Sequence, residues 1–306
     1  MSTEPLTDSL RVAHLGTEAR HPESTHLDEL SVPDVLALMN EADATVPTVV
    51  RGALPEIARA VELVAASLER GGRLIYVGAG TSGRLALLDA AECPPTFSTD
   101  PSQVIALLAG GQVAFTRAVE GAEDDTEQPS RDLDGAALAP EDTVVGLSAS
   151  GRTPYVIAAL DHARARGAHT VSVSCNADAE ASEHADVAIE LPTGAEILTG
   201  STRLKAGTAQ KMVCNMLTTA AMVRRGKVFE NLMVDMSATN GKLQDRARRI
   251  VAEAAKVDKA TASAALTDAD GEPKVAIVAL LTGTSTSAAR RRLGEAGGQV
   301  ARAVEN

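Results

Sequence analysis

Apolar residues recur along the chain in two patterns, and the alternation between these patterns predicts the fold. From Val46 to Glu69 they return every three or four residues, as on one face of a helix, with Pro55 marking a bend or a restart. Four short apolar runs instead indicate buried parallel strands: RLIYV (73–77), TVVGLSAS (143–150), HTVSVSCN (169–176) and DVAIEL (186–191). Helical patterns that end in glycine lie between such runs, as in TPYVIAALDHARARG (153–167). We therefore predict an α/β fold with a parallel sheet covered by helices on both faces.

The two ends of the chain differ from this central region. Roughly the first thirty residues are polar, which predicts an extended arm, and Ser31 is placed to cap a short helix with Pro33 in its first turn. A long amphipathic helix is predicted from Ser201 to Gly226, and beyond Lys242 the chain continues in Ala/Arg/Glu-rich helical pieces. We divide the chain into an arm with a short helix (1–45), a central sheet domain (46–241) and a small, UBA-like C-terminal helical domain (242–306).

Composition narrows the class of partner. The 306-residue chain carries a formal net charge of -12, which argues against nucleic acids and anionic membrane surfaces, because both are polyanions. Aromatic residues make up only 2% of the chain, so the core must be built from Ala, Val, Leu and Ile. The 3 cysteines are scattered without C-x-x-C spacing, which fits neither a disulfide framework nor a zinc site. With no signal-peptide pattern and no apolar run of membrane-spanning length, we expect a soluble, cytoplasmic protein.

Two loops rich in Ser, Thr and Gly occupy matching positions in this pattern. GAGTSG (78–83) follows one predicted strand and opens a helix, and GLSASGRT (146–153) does the same after another strand. Helix N-termini at the carboxyl ends of strands present free N–H groups, and added hydroxyls suit the many oxygens of a phosphate monoester. The first loop has G-x-G-x-x-G spacing, but the acid that a dinucleotide site needs is missing: Glu92 comes too early, and no convincing strand precedes Asp100. We therefore favour a sugar-phosphate site.

Longer strings surround these loops: GAGTSGRLALLDAAECPPTF (78–97), AVEGAEDD (118–125), ASGRTPYV (149–156), TGSTRLKAGTAQK (199–211), NLMVD (231–235) followed by TN (239–240), and more weakly TEARHPES (17–24). The paired loops resemble sugar isomerase (SIS) domains, and the strings resemble one family among them, the N-acetylmuramic acid 6-phosphate etherases. The resemblance implies a flavodoxin-like three-layer SIS domain, a homodimer and no metal or organic cofactor. At Ser98 the chain departs from the family pattern, in which glycine is common there.

The reaction that this resemblance implies removes D-lactate from the C3 ether of N-acetylmuramic acid 6-phosphate, by elimination followed by addition of water. It needs a phosphate anchor, a base for the C2 proton and an acid for the departing alkoxide, whose protonation contributes a factor of about 10²–10⁴. No histidine lies in the strong strings (His14, His21, His26, His162, His169 and His184 are all outside them), so carboxylates must carry the chemistry.

Two glutamates are the candidate acid and base. Glu92 lies near a helix end that two prolines are expected to stop, in apolar surroundings that would raise a carboxyl pKa. Without the resemblance it would be assigned as a solvent-facing carboxylate, and with it we favour the acid. In the run from Glu120 to Glu127 spacing alone selects no residue, and the family pattern maps its second catalytic glutamate onto Glu123. Which of the two is the acid and which the base stays open.

The resemblance also implies the substrate-binding residues. Three would hold the phosphate, two would lie nearer the sugar, and two form a basic pair near a helix start: Ser148, Ser150 and Thr153; Thr81 and Ser82; Arg203 and Lys205. Arg203 is either the partner of the lactyl carboxylate or an exposed helix arginine. Cys93 could be read as a nucleophile, but no histidine is near it in sequence, so a buried small residue is favoured.

Two rival functions are weighed against an etherase. One is a non-catalytic sugar-phosphate sensor, since glucokinase regulatory proteins resemble the same family. That reading requires lost carboxylates, whereas Glu92 and Glu123 are both present, and those regulators are longer, with a duplicated domain. The other is an aldose–ketose isomerase, which is disfavoured because such enzymes carry a glutamate near the position of Arg203.

Overall fold

The structure is a computed structural model that describes residues 15–236 and 241–305. These residues pack into two compact units. The first unit comprises the chain up to Ala90 together with Gln103–Leu217, and the second comprises Ala91–Ser102 together with the chain from Thr218 onward. His14 and the dipeptide TN at 239–240 lie outside the described residues. The predicted three-part division of the chain stays a prediction.

The first unit is built around a five-stranded sheet in which all neighbouring strands are parallel, in the order β2-β1-β3-β4-β5. Its strands are β1 (Leu74–Gly78), β2 (Val104–Leu108), β3 (Thr143–Ser148), β4 (His169–Ser174) and β5 (Val187–Glu190). The α/β prediction is confirmed, and the four predicted apolar runs form β1, β3, β4 and β5. The edge strand β2 is absent from the sequence prediction. It ends at Leu108 and is followed by Ala109 and Gly110, so no acid stands where a dinucleotide site would need one.

The helices before β1 follow from their caps and prolines. The Ser31 hydroxyl accepts a hydrogen bond from the Asp34 amide, and Pro33 lies in the first turn, as predicted. The next predicted helix restarts at Pro55, which occupies a first-turn position where its missing N–H costs little. These helices are α1 (Val32–Asp43), α2 (Val46–Gly52) and α3 (Leu54–Glu69), with short 3-10 turns at Gly16–Glu18, Pro22–Ser24 and Leu27–Glu29.

Helix α4 (Gly80–Phe97) runs through Pro94 and Pro95, so the prediction that two prolines stop this helix is wrong. A proline lacks an N–H, but its carbonyl still accepts, and the Ser98 amide donates to the Pro94 carbonyl at 2.9 Å. Ser98 then ends the helix in the left-handed conformation, with φ of 48°. This conformation favours glycine, which accounts for the glycine of the family pattern at this position.

The remaining helices of the first unit connect the strands. They are α5 (Gln128–Gly135), α6 (Pro154–Ala165) and α7 (Glu180–Glu183). Helix α8 (Lys205–Arg224) follows β5, and its residues up to Leu217 belong to the first unit, whereas those from Thr218 onward belong to the second. Helix α8 is shorter at both ends than the predicted span from Ser201 to Gly226. Its start is fixed by the fully buried Glu196, whose carboxylate accepts hydrogen bonds from the backbone amides of Lys205 and Ala206.

The second unit is helical, apart from its short connections. It contains α9 (Gly241–Ala255), α10 (Lys259–Asp268), α11 (Pro273–Thr282), α12 (Thr286–Glu295) and α13 (Val300–Glu305). Its core consists of small aliphatic side chains, including Val251, Ala276, Ile277, Ala289 and Ala303. Each large aliphatic side chain that is fully buried contributes about 1.5–3 kcal/mol, and Phe229 packs against these small aliphatic side chains.

The two tyrosines of the chain are both fully buried in the first unit. Tyr76 on β1 donates its hydroxyl hydrogen to Asp89 at 2.9 Å, and Tyr155 on α6 donates to Asp132 at 2.8 Å. Burial raises the pKa of Tyr155, and the Asp132 carboxylate raises it further. Both rings therefore supply apolar core volume while their hydroxyl groups stay paired.

Candidate functional site

The two hydroxyl-rich loops begin at neighbouring strands. Gly78 at the end of β1 lies opposite Leu147 near the end of β3, so the loops that follow these strands emerge side by side at the carboxyl edge of the sheet. β1 pairs with β2 on its other side and β3 pairs with β4. The crevice between β1 and β3 is therefore the place where the strand order reverses, which is where open α/β sheets bind ligands.

Glycines in the first loop allow α4 to start directly against the end of β1. A β-carbon on Gly83 would stand 1.9 Å from Cδ1 of Leu108 and 2.9 Å from the Gly78 carbonyl oxygen. Gly80 adopts a left-handed φ of 52° at the first position of the helix. The tight turn brings the free N–H groups of the first helical turn of α4 to the crevice.

The hydroxyls of the first loop differ in their surroundings. Ser82 is buried and donates to Oε1 of Gln210 on α8 at 2.8 Å, so its hydrogen already has an acceptor within the protein. Thr81 is partly exposed, and its methyl group lies near Gly207 of α8. Of these two predicted residues, Thr81 is therefore the more accessible to a ligand.

The three predicted phosphate-binding hydroxyls lie together in the second loop. The Ser148 hydroxyl is 2.7 Å from that of Thr153 and 3.2 Å from that of Ser150. The backbone amide of Gly151 donates to Ser148, and that of Arg152 donates to the Ser150 hydroxyl. Thr153 immediately precedes α6, whose N-terminal amides and positive dipole end favour an anion.

The acidic residues around Glu123 differ in the partners that their carboxylates have. The Asp125 carboxylate accepts from the backbone amides of Gln128 and Glu127 at the start of α5, and these bonds hold its pKa below the ordinary value. Glu127 lies 3.6 Å from Arg131. Glu123 is exposed on a 3-10 turn (Ala122–Asp124) that follows β2. The Asp125 carboxylate is therefore already bonded to the amides at the start of α5, whereas the Glu123 carboxylate faces solvent.

Arg84, which lies inside the first loop string, holds the chain that leads to this acidic run. Its guanidinium donates to the backbone carbonyls of Ala114, Phe115 and Arg117, the segment that follows β2. Sequence reasoning missed this role, because the acceptors are backbone atoms and leave no residue-type signal.

Glu92 lies in the second half of α4, in the second unit, and its side chain is exposed. The apolar environment predicted for it is therefore wrong for the described chain. Its neighbour Cys93 is 2% exposed and is thus the buried small residue that the sequence indicates.

The basic pair near the start of α8 divides into one exposed and one buried side chain. Arg203 is exposed in the turn before the helix. Lys205 is buried, and its ammonium donates to the Thr193 carbonyl at 2.8 Å. Arg203 is therefore the member of the pair that a solvent-borne ligand reaches directly.

The other two cysteines are buried, and two of the histidines lie beside carboxylates. Burial raises the pKa of the Cys175 and Cys214 thiols, with nearby carboxylates adding to the shift, so neither is a thiolate at neutral pH. His162 lies 3.0 Å from Asp134, and His184 lies 2.6 Å from Asp161.

Among residues 15–236 and 241–305, no cluster of three or more His, Cys, Asp or Glu is arranged to hold a metal ion. Within the same ranges no helix is long and apolar enough to cross a membrane.

Comparison with known proteins gives the class first. Residues 56–164 match the model of the glucokinase regulatory protein N-terminal SIS domain, and residues 126–220 match that of the SIS domain. A presumed phosphosugar isomerase of Bacteroides fragilis involved in capsule formation has a similar fold, with a TM-score of 0.50 at 19% identity, covering 66% of this chain and 95% of that one. Fold and loops together define a SIS-domain protein.

Closer relatives then give the family. An N-acetylmuramic acid 6-phosphate etherase of Mycolicibacterium smegmatis is 60% identical over 290 residues, covering 95% of this chain and 97% of the relative. Proteins of the same name from Exiguobacterium sp. and Streptomyces coelicolor are 54% and 52% identical, covering 95% and 99% of this chain, and 99% and 98% of their own lengths. The chain belongs to the N-acetylmuramic acid 6-phosphate etherase family.

Proposed function

We propose that this protein is an N-acetylmuramic acid 6-phosphate etherase. As a carbon–oxygen lyase it cleaves the D-lactyl ether of its substrate and yields N-acetylglucosamine 6-phosphate and D-lactate, in the recycling of cell-wall sugars. The observation that carries the proposal is the 60% identity to a protein of that name over 95% of the chain. The two adjacent hydroxyl-rich loops supply a suitable place for a phosphorylated amino sugar.

The phosphate group is assigned to the second loop. The Ser148 hydroxyl lies 2.7 Å from that of Thr153 and 3.2 Å from that of Ser150, so this loop offers three hydroxyls in a small space. A phosphate monoester accepts many hydrogen bonds and is stabilised by the dipole of α6. Thr81 and Ser82 are assigned to the sugar, with Ser82 held in place by Gln210.

The acid–base chemistry is assigned to the two glutamates on the basis of the family pattern. Glu123 removes the C2 proton, the electron pair forms the C2=C3 bond, and the C3–O bond breaks. Glu92 protonates the departing lactate oxygen, and water then adds across the double bond. Both carboxylates are exposed in the described chain, which leaves them accessible to a substrate.

The lactyl carboxylate is assigned to Arg203, since its exposed guanidinium offers a planar fork that matches a carboxylate. Lys205 keeps its predicted place among the substrate-binding residues, with its ammonium held against the Thr193 carbonyl at 2.8 Å. No observation favours the regulator alternative, since the relatives that span nearly the whole chain are named as etherases.

We also propose that the protein acts in the cytoplasm as a homodimer. Support comes from α1, where only Ala42 is buried while Val32 is 73% exposed and Leu36 is 59% exposed. An apolar helix face left open to water in one chain suits burial against a second copy. On α8, Met222 is fully buried within the chain and Val223 is 49% exposed.

Incubation with N-acetylmuramic acid 6-phosphate tests the function, with free D-lactate as the readout. We expect release of D-lactate from the phosphorylated substrate and little from N-acetylmuramic acid. Binding of the phosphosugar without any D-lactate would instead identify a sensor, and conversion of an aldose phosphate to a ketose phosphate would identify an isomerase.

A further inference from the structure

The segment Leu15–Ala19, here named the strap, contains the start of the TEARHPES string, whose role the proposed chemistry leaves unexplained. Leu15 is 8% exposed and Thr17 is fully buried, so this polar stretch is packed against the first unit. Gly16 passes close to two loops: a β-carbon there would stand 3.5 Å from Oδ1 of Asn176 and 3.7 Å from the α-carbon of Gly194. The strap therefore lies beside the loops that follow β4 and β5.

Asn176 joins the strap to the phosphate-binding loop. Its Oδ1 accepts a hydrogen bond from the Thr17 amide at 3.3 Å, and its Nδ2 donates to the Thr17 hydroxyl at 3.1 Å. The same Nδ2 donates to the carbonyls of Ala149 at 3.1 Å and Ser150 at 3.4 Å. The side chain is 4% exposed. One buried amide thus holds two consecutive carbonyls of the loop that carries the Ser148 and Ser150 hydroxyls.

The donor and acceptor roles in these hydrogen bonds set the orientation of the Asn176 side-chain amide. The orientation of a side-chain amide is fixed when its oxygen accepts and its nitrogen donates, and Thr17 provides a partner for each. With Asn176 fixed in this orientation, its Nδ2 holds the carbonyls of Ala149 and Ser150 by hydrogen bonds. The Ser150 hydroxyl then stays available for an anion, and the loop loses little freedom when the anion binds.

We propose that Thr17 and Asn176 are positioning residues for phosphate binding, through which the strap pre-orders the Ser148–Thr153 loop. This inference rests on the proposed function, because it takes the phosphate of a 6-phosphosugar as the group that the loop binds. Neither residue touches the substrate in this scheme. Their effect passes through the backbone of Ala149 and Ser150.

The test compares substitutions that remove or retain the Thr17 hydroxyl. Thr17→Val deletes the acceptor at nearly constant volume, and Asn176→Ala removes the bridge. We expect both to raise the KM for N-acetylmuramic acid 6-phosphate about threefold to tenfold, the scale of one lost hydrogen bond, while kcat at saturation changes less than twofold. Thr17→Ser keeps the hydroxyl and should restore the wild-type KM. The double variant should show less than the product of the two single effects.

A matched control separates positioning from stability. The Thr143 hydroxyl is 2.7 Å from that of Ser67, and both residues are fully buried. Thr143 is the first residue of β3, so it lies at the opposite end of this strand from the loops. Thr143→Val should lower the melting temperature by about as much as Thr17→Val does, because each loses one buried hydroxyl, and it should leave the KM unchanged.

Binding of N-acetylglucosamine 6-phosphate and of N-acetylglucosamine, measured by calorimetry, distinguishes the two levels of the proposal. Wild-type protein that binds both sugars equally would overturn the phosphate site and the inference with it. A wild type that prefers the phosphosugar, with Thr17→Val and Asn176→Ala equally selective and of unchanged affinity, would overturn the inference alone. We expect the variants to lose affinity for the phosphosugar only.

Discussion

At the scale of single residues, the hydroxyls of the proposed phosphate-binding loop are held by hydrogen bonds within the protein. Ser148 contacts both Ser150 and Thr153, and backbone amides of Gly151 and Arg152 donate to the serine oxygens. A hydroxyl hydrogen can rotate from a neighbouring hydroxyl to a phosphate oxygen without moving a heavy atom. The cluster can therefore exchange internal hydrogen bonds for stronger, charge-assisted ones at little cost in order.

Removal of one of these hydroxyls should weaken phosphosugar binding. We expect Ser150→Ala to reduce the affinity for N-acetylglucosamine 6-phosphate by about tenfold or more, because a hydrogen bond to a charged group contributes about 1.5–3 kcal/mol. Calorimetry measures the change. Ser130→Ala removes a hydroxyl that donates to the Glu127 carbonyl on α5, and it serves as the control with unchanged affinity. An unaltered affinity in Ser150→Ala would remove this residue from the site.

The two glutamates should fail in separable ways. Glu92→Gln keeps the shape of the side chain but supplies no proton, so D-lactate release should fall by about 10²–10⁴, or roughly 3–5 kcal/mol of barrier. The C2 proton should still exchange with D₂O in this variant, because its removal needs only the base. Glu123→Gln should abolish both exchange and release while the sugar phosphate still binds.

Proton NMR in D₂O reads the exchange, and a D-lactate assay reads the release. Asp124→Asn changes an exposed carboxylate next to Glu123 and should leave both rates near those of the wild type. The opposite pattern in the two glutamine variants would exchange their roles. Retained D-lactate release in both would show that neither residue is catalytic.

Sequence patterns located the candidate site residues that belong to local motifs, and missed those that act from a distance. The hydroxyls of the second loop lie within one short string, so spacing and residue type predict their proximity. Asn176 contacts Thr17 across 159 residues of sequence, and Gln210 contacts Ser82 across 128. A lone Asn or Gln in a helix or loop carries no local signal. The burial of Lys205 and the exposure of Glu92 likewise depend on packing that no periodicity reports.

At the scale of elements, the errors arise where local rules meet tertiary context. β2 has the sequence VIALL, which is also compatible with a helix segment, and only its pairing with β1 settles it as a strand. Pro55 restarts a helix because it falls in a first turn, where its missing N–H costs no intrahelical bond. Pro94 and Pro95 each lose the N–H bond to the preceding turn of α4, but the Pro94 carbonyl still accepts from the Ser98 amide. Position within the element, and not residue type, decides what a proline does.

The start of α5 gives a prediction for acid. Backbone amides of Gln128 and Glu127 hold the pKa of Asp125 below its ordinary value of 3.8. Since the folded-state pKa is the lower one, the contribution of Asp125 to stability is present above pH 3.8 and is lost as pH falls through the folded-state pKa. Asp125→Asn retains an acceptor that does not titrate, so its melting temperature should decline less steeply in acid.

Thermal melts of the wild type and the variant between about pH 7 and pH 2.5 measure this slope. Asp125→Ala lacks the acceptor and should melt lower than the wild type at neutral pH, which separates loss of the cap from loss of the charge. Identical acid slopes in the wild type and in Asp125→Asn would show that this cap does not contribute.

At the scale of the whole molecule, the prediction concerns the oligomeric state, and it rests on the exposed apolar residues of α1. We expect sedimentation equilibrium to give a dimer, and Leu36→Glu to give a monomer, because a charge at an apolar contact between two copies is costly to bury. Leu281→Glu changes another exposed leucine, on α11, and should leave the dimer intact. A stable, fully active wild-type monomer would contradict the proposed assembly.

The buried tyrosines have a consequence for spectroscopy. The chain has no Trp and only 2 Tyr, so its longest-wavelength ultraviolet absorption and its intrinsic fluorescence come chiefly from Tyr76 and Tyr155. Each hydroxyl donates to a carboxylate, an arrangement that quenches tyrosine emission by offering the excited phenol a proton acceptor. Fluorescence should therefore be weak in the native protein and should rise on unfolding. Since both rings belong to the first unit, this optical signal follows that unit only, whereas circular dichroism follows the helices of both.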